Sequence, residues 1–290
     1  MNSVAELDFA LVRRLIKTAL VEDRAAEDLT TVALVPPDQR GRAVVIAKAD
    51  GVLAGVEVAR EVFRSVDPFL AWMSGLADGA PLATGDRLAD VEGALASILR
   101  GERVALNFLS HLSGIATATD AVVRAITDTA CRLRDTRKTT PGLRALEKYA
   151  VRCGGGVNHR LDLADGVLIK DNHLAALRLR GLGIADAVRL AREGAPDKRI
   201  EIEVTTVDEA REALEAGAEE LLLDNMPLDA MREVAQVARA HRAHPILEAS
   251  GGIMLANARE VAATGVDYIS MGAITHSAPA LDMSLEVEGG

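Results

Sequence analysis

Nine Arg or Lys residues against five Asp or Glu lie between Arg132 and His173, a local +4 in a 290-residue chain of formal charge -10. Three of the chain's six lysines, Lys138, Lys148 and Lys170, fall in that stretch. A cationic island in an acidic protein is aimed at something small and anionic. Arginine forks match planar carboxylates bidentately, whereas a lysine is a compact point charge suited to phosphate. Arg137, Lys138, Arg160 and Lys170 occupy loop or strand-end positions, which favours a chemical task. Arg144 and Arg152 sit on a helical pattern and read as an exposed face. The spread of the first four suggests two anionic groups or two substrates.

A second set of candidates is acidic. Ile-Glu-Ile-Glu-Val at 200–204 alternates with period two, so Glu201 and Glu203 share one face of a strand. Two carboxylates facing an interior are costly unless paired or near a cation. The run 220–224 ends in Asp224, and the run 246–248 ends in Glu248. A single such acid is as readily a helix cap or a salt bridge; three successive strands ending in acids point to a site. Glu203 and Asp224 would balance the basic groups by holding Mg²⁺ or by accepting hydrogen bonds from sugar hydroxyls. Ser250-Gly251-Gly252 and Ser270-Met271-Gly272-Ala273 are small enough for the backbone to close on a phosphate. Alone, each loop is also an ordinary turn. As a pair after the last two strands they sit where barrels place a phosphate.

The elements that position these residues follow from periodicity. Apolar residues at helical spacing predict a first helix over 5–21, then helices near 55–66 and 94–127, with strands near 42–49 and 87–92. The turn-rich Asp78–Asp86 segment separates two of them. From Cys131 the rhythm changes to strands at 131–135, 166–170, 200–204, 220–224, 246–249 and 267–271, mostly with helices between. Thr139-Thr140-Pro141 offers a cap and first-turn proline for a helix over 142–152. Thr206 and Glu209 form a capping box for 207–216, which Gly217 ends, and Pro227 opens 228–240. Gly154-Gly155-Gly156 suits either a hinge or a tight turn. Repeated βα units imply a parallel sheet, and six strands over some 140 residues fall short of an eight-stranded barrel, which needs about 250. The expected fold is α/β. An N-terminal α/β sandwich spans 1–115, an incomplete, smaller-than-eight-stranded α/β barrel spans 116–275, and a tail over 276–290 returns to the first domain.

Composition narrows the function classes. With 49% hydrophobic, 26% charged and 2% aromatic residues, the chain reads as a globular protein with an aliphatic core. Net negative charge and scarce aromatics argue against nucleic-acid binding. No run of 18 apolar residues and no secretory pattern occur, so neither a membrane nor export is expected. Cys131 and Cys153 lack metal-site spacing and read as reduced thiols of a cytoplasmic protein.

In order, Glu27-Asp28-Leu29-Thr30-Thr31, the run Arg103 to Thr117, Asp135-Thr-Arg-Lys-Thr-Thr-Pro-Gly142, His159-Arg160 and Lys170-Asp-Asn-His173 form a recognisable pattern. Glu201-Ile-Glu203, Leu223-Asp224-Asn225, Glu248 to Gly252 and Ser270 to Ala273 continue it. The chain resembles the quinolinate phosphoribosyltransferase family over roughly residues 10 to 285. Met271 and His111 stand where that family varies.

The resemblance implies an active site at a homodimer interface, or in a higher oligomer built from it, with Arg103 reaching into the neighbouring subunit's site. Arg103 would join Arg137, His159, Arg160 and Lys170 around quinolinate. Lys138, with Lys170 and with Thr136 in the same loop, would meet the pyrophosphate. Glu203 and Asp224, together with Glu201 and Glu248, would lie near the ribose and Mg²⁺. Ser250 to Gly252 and Ser270 to Ala273 would hold the 5′-phosphate of phosphoribosyl pyrophosphate. The products implied are nicotinate mononucleotide, pyrophosphate and CO₂. Three alternatives stay open at this level: a Schiff-base enzyme using Lys170, a paralogue taking another aromatic acid, and a non-catalytic binder of a phosphorylated metabolite.

Overall fold

Asp8 opens the first helix, its Oδ1 accepting the Ala10 N–H at 2.9 Å. The computed structural model describes residues 7–288, and in it α1 spans Phe9–Glu22 with Val12 and Ile16 buried. The sequence expects this helix from residue 5, and residues 5 and 6 lie outside the described residues. Asp28 caps α2 (Leu29–Leu34), accepting the Thr30 and Thr31 N–H groups at 3.0 Å each. The chain continues through β1 (Arg40–Ala47), β2 (Gly51–Val52), α3 (Val56–Val66), β3 (Ala71–Met73), β4 (Pro81–Leu82), β5 (Arg87–Ala94) and the long α4 (Leu95–Ala125).

After β6 (Arg132–Arg134) and α5 (Arg144–Cys153), the βα rhythm sets in. It runs β7 (Val167–Ile169), α6 (Asp171–Arg178), α7 (Ile184–Gly194), β8 (Ile200–Val204), α8 (Val207–Glu215), β9 (Glu220–Asp224) and α9 (Leu228–Ala240). It ends with β10 (Ile246–Ser250), α10 (Ala258–Ala262), β11 (Tyr268–Ser270), α11 (Ala273–His276) and β12 (Met283–Val287). Two compact units emerge. One holds the residues up to 120, 139–155 and those from 274 on; the other holds 121–138 and 156–273.

The first unit is built on an antiparallel sheet in the order β12-β1-β5-β3, with β2 and β4 paired separately. Val44 of β1 faces Asp90 on one side and Glu286 on the other, so the chain's last strand closes this sheet. Phe63 of α3 meets Trp72 of β3 with ring centroids 5.5 Å apart, an aromatic pair in a mainly aliphatic core.

Helix α5 belongs to this unit, a grouping that the sequence boundary at 115/116 does not anticipate. Its buried face carries Leu146, Glu147, Ala150 and Val151. Glu147, fully buried, pairs through Oε1 with His111 Nε2 at 2.9 Å and accepts the Thr140 N–H at 3.1 Å. The cap expected of Thr139-Thr140-Pro141 is not at the helix start, and Thr139 Oγ1 accepts from Arg144 Nε at 3.1 Å instead. Gly142 takes φ +82°, and the helix starts only at Arg144, without a side-chain cap. At its other end Gly154 is a close-packing residue, since a Cβ there would lie 2.3 Å from the Ala116 carbonyl oxygen. Gly155, at φ +84°, then ends the helix, as a tight turn would.

The second unit is an incomplete α/β barrel. Its six strands are parallel, in the order β6-β11-β10-β9-β8-β7, with β6 and β7 at the edges. Strands β8 and β9 are buried almost throughout, as strands covered on both faces must be. Thr206 caps α8 by accepting the Glu209 N–H at 3.2 Å. The return arm of the expected box shifts by one residue, the Glu209 carboxylate accepting the Thr205 N–H at 2.8 Å. Gly217 follows at φ +91°, and Pro227 is the N-cap of α9.

No helix among the described residues is long and apolar enough to cross a membrane. Both cysteines are free and buried, and burial pushes each thiol up to about 12. Gly154→Ala is expected to cost about 2–3 kcal/mol, because the obstacle is backbone that cannot rotate away. Equilibrium urea unfolding of the variant measures this.

Candidate functional site

Parallel strands deliver their C-terminal ends to one side of a sheet, and six of them here deliver chemistry. Asp135 follows β6, Lys170 follows β7, Glu203 lies near the end of β8, and Asp224, Ser250 and Ser270 close β9, β10 and β11. These residues line one cavity of about 480 Å³, together with Thr136, Arg137, Lys138, His159, Arg160, Asp171 and Glu248. A neighbouring cavity of about 580 Å³ also touches Arg160, but Leu163, Ala164, Gly194, Ala195 and Pro196 form much of its wall. The smaller one brings acids and bases together and is the candidate site.

Burial and then the neighbouring Arg137 push the Arg160 pKa below its ordinary value. Arg160 Nη1 donates to the Gly166 carbonyl at 2.8 Å, while its Nε is buried with no hydrogen-bond partner among the described residues. An unsatisfied buried donor costs about 1–3 kcal/mol, which an anionic acceptor would recover. Lys170 Nζ lies 3.0 Å from Glu203 Oε2, with the lysine half-exposed and the glutamate nearly covered. Thr136 Oγ1 accepts the Lys138 N–H at 3.0 Å and so shapes the loop that carries Arg137.

Beneath the cavity lies an ionic layer. Arg134 pairs with Glu220, and its Nη1 lies 2.6 Å from Glu248 Oε2, while its guanidinium carbon sits 3.5 Å from the Tyr268 ring centroid. His159 Nε2 is 2.8 Å from Glu201 Oε2 and 3.8 Å from Glu248 Oε2. Burial, reinforced by the charge of Glu201, raises the Glu248 pKa. Glu201 and Glu248 therefore spend their charge inward, on His159 and Arg134.

Ligand atoms of His159, Glu201 and Glu248 lie within 4.8 Å of one another, a spacing that a metal ion could use. Yet a guanidinium already neutralises one of these acids and an imidazole N–H binds another. Glu203 and Asp224, oxygen donors on the open cavity, suit a hard ion such as Mg²⁺ better.

The loops beyond β9 and β10 interlock. Asn225, at φ +52°, donates its N–H to the Ser250 carbonyl at 2.9 Å and its Nδ2 to Asp224 at 2.8 Å. Gly251 at φ +88° is obligatory, because a Cβ there would lie 2.3 Å from Asn225 Oδ1. Gly252, at φ +61°, continues this left-handed backbone. In the other small-residue loop the Met271 N–H is committed to the Arg134 carbonyl at 3.1 Å, and Gly272 and Ala273 lead into α11.

The chain matches the description "Quinolinate phosphoribosyl transferase, N-terminal domain" over residues 28–113 and its C-terminal counterpart over 115–286. The chain belongs to the quinolinate phosphoribosyltransferase family. A probable carboxylating nicotinate-nucleotide pyrophosphorylase of Bacillus subtilis is 42% identical over 277 residues, covering 95% of this chain and 93% of that protein. The carboxylating nicotinate-nucleotide pyrophosphorylase of Homo sapiens is 40% identical over 275 residues, with 93% and 91% covered. The solved nicotinate-nucleotide pyrophosphorylase of Francisella tularensis superposes with a TM-score of 0.91 at 37% identity, covering 99% of this chain and all of that one.

Against the family pattern, the barrel gathers Arg137, Lys138, His159, Arg160, Lys170, Glu203, Asp224, Glu248, Ser250 and Ser270 around one cavity. Arg103 stands on α4 in the first unit with an exposed side chain, 3.8 Å from Glu102. Sequence reasoning singled out no role for Asp135, which is fully buried and accepts the His159 N–H at 2.8 Å and Asn158 Nδ2 at 2.6 Å. The strand-end rule that found Asp224 applies equally to Asp135. Glu248→Ala leaves Arg134 short of a buried partner and should cost about 3 kcal/mol in urea unfolding. Glu248→Gln, which keeps an acceptor, should cost less than half of that.

Proposed function

We propose that this protein is a quinolinate phosphoribosyltransferase, joining quinolinate to 5-phosphoribosyl 1-pyrophosphate and releasing pyrophosphate and CO₂ to leave nicotinate mononucleotide. The observation that carries the reading is the single cavity in which a cation-rich wall faces strand-end carboxylates. Quinolinate presents two adjacent carboxylates, and Arg137, Arg160 and Lys170 supply complementary charge, with His159 beside them. Lys138, in the loop shaped by Thr136, takes the pyrophosphate. Ser250 to Gly252 and Ser270 to Ala273 take the 5′-phosphate, with Asn225 holding the first of these loops in shape.

The ring nitrogen attacks the anomeric carbon as the bond to pyrophosphate breaks, so positive charge develops on the ribose and negative charge on the leaving group. Glu203 and Asp224 offset the first; Lys138 and Lys170 offset the second. Mg²⁺, bound with the pyrophosphate near Glu203 and Asp224, would supply further neutralisation of that leaving group. Once quaternary, the positive ring nitrogen stabilises the electron pair left on the adjacent ring carbon as CO₂ departs, and that carbon then takes up a proton. No side-chain nucleophile is required. A Schiff base at Lys170 would leave Arg137 and Arg160 without a task.

The same reading makes the protein a cytoplasmic homodimer, in which Arg103 of one protomer completes the site of its partner. Purified protein with quinolinate, phosphoribosyl pyrophosphate and Mg²⁺ should release labelled CO₂ and form nicotinate mononucleotide. Turnover of another aromatic acid in place of quinolinate would move the assignment to that acid. Arg160→Ala should lower kcat/KM for quinolinate about 100-fold or more, roughly 3 kcal/mol of transition-state stabilisation. Mixing the inactive Arg103→Ala and Arg160→Ala variants should restore part of the activity by subunit exchange. No recovery despite demonstrated exchange would count against the shared site.

A further inference from the structure

The hydrogen bonds around His159 spend both of its ring nitrogens. The Arg160 backbone N–H donates to Nδ1 at 2.7 Å, and Nε2 faces Glu201 Oε2 at 2.8 Å. A backbone N–H only donates, so Nδ1 is an unprotonated acceptor and the ring proton sits on Nε2, directed at the carboxylate. Upstream, the His159 N–H is itself anchored at 2.8 Å by Asp135, whose own N–H reaches the Val157 carbonyl at 3.1 Å. Asp135 is fully buried and Glu201 is 4% exposed, so both anchors are shielded from competing water.

We propose that Asp135, His159 and Glu201 form a positioning relay that sets the backbone of Arg160, and that His159 acts through Arg160 instead of holding the dicarboxylate itself. The ligand of Arg160 in this proposal rests on the function proposed above; the relay geometry does not. Glu201 fixes the ring plane through Nε2, Nδ1 then fixes the Arg160 amide, and the guanidinium is steadied by its bond to the Gly166 carbonyl. The charged groups facing the ring are Glu201, Glu248 and Arg134. Burial disfavours the imidazolium, while the two acids favour it and raise the pKa of His159. The Arg160 N–H opposes them by occupying the lone pair that a second proton would need.

Two substitutions separate the roles of the two nitrogens. Asn places an oxygen near the position of Nδ1, and Gln places an N–H₂ near that of Nε2. His159→Ala should raise KM for quinolinate at least 30-fold and leave KM for phosphoribosyl pyrophosphate within about 3-fold of the native value. His159→Asn should return KM for quinolinate to within about 5-fold of native, whereas His159→Gln should stay with the alanine variant. Glu201→Gln, still an acceptor for Nε2–H, should retain most activity, unlike Glu201→Ala. Near-native His159→Gln beside a crippled His159→Asn would overturn the relay, as would an equal rise in both KM values for His159→Ala.

Nitrogen-15 NMR of the ligand-free native protein at pH 8.5 gives a readout independent of substrate and of variant folding. The relay requires the neutral Nε2–H tautomer of His159; the Nδ1–H tautomer or an imidazolium would sink it. Absence of quinolinate turnover by the native protein would instead reject the functional reading and leave the tautomer test standing.

Discussion

Charge balance inside the barrel is the constraint on which the rest of the second unit depends. Glu201, Glu220 and Glu248 are all buried, and isolated ionised carboxylates could not be tolerated there. Arg134, reaching Glu220 and Glu248 from β6 and lying over Tyr268, supplies the compensating cation. Strand β6 is remote in sequence from β9 and β10, yet one guanidinium ties the three together. Such an ion pair is a weak source of net stability but a strong penalty on misregister, since a slipped strand would strand a charge. His159 extends the layer upward by binding Glu201, and through it the layer touches the cavity.

Above that layer the same economy serves chemistry. The cavity wall keeps Lys170 paired with Glu203, while Arg160 and Arg137 stand close enough for the charge of one to disfavour that of the other. Glu203 and Asp224 line the same cavity. Keeping cations and anions on separate strand ends prevents their mutual neutralisation from consuming the whole field.

Much of the architecture was readable because it rests on local rules. Period-two alternation placed Glu201 and Glu203 on one face of β8, and both point to the barrel side where their partners stand. Capping chemistry located the starts of α8 and α9 to within a residue. The failures have non-local causes. Thr139-Thr140-Pro141 has the local signature of a helix start, but the helix begins only at Arg144, with Thr139 Oγ1 accepting from Arg144 Nε and the Thr140 N–H donating to the buried Glu147. The partners of Glu201 and Glu248 were equally illegible, because a strand-end acid looks alike whatever it faces. Only the position of Arg134 and His159 distinguishes the two. Asp135 was passed over because its partners, Asn158 and the His159 amide, lie more than twenty residues away.

By itself, the amino-acid order determined the α/β class, the six βα-type strands, the local excess of +4 within a chain of -10, and the family. Those properties are carried by residue type and spacing, which no long-range contact is needed to reveal. Tertiary structure alone decided which charges meet. It assigned α5 to the first unit, turned Gly154 into a packing contact, sent Glu248 to Arg134, and placed the Arg160 amide on His159 Nδ1. The physical reason is the short reach of hydrogen bonds and ion pairs: their energies depend on separations of about 3 Å, and such separations between residues remote in sequence exist only once the chain has folded.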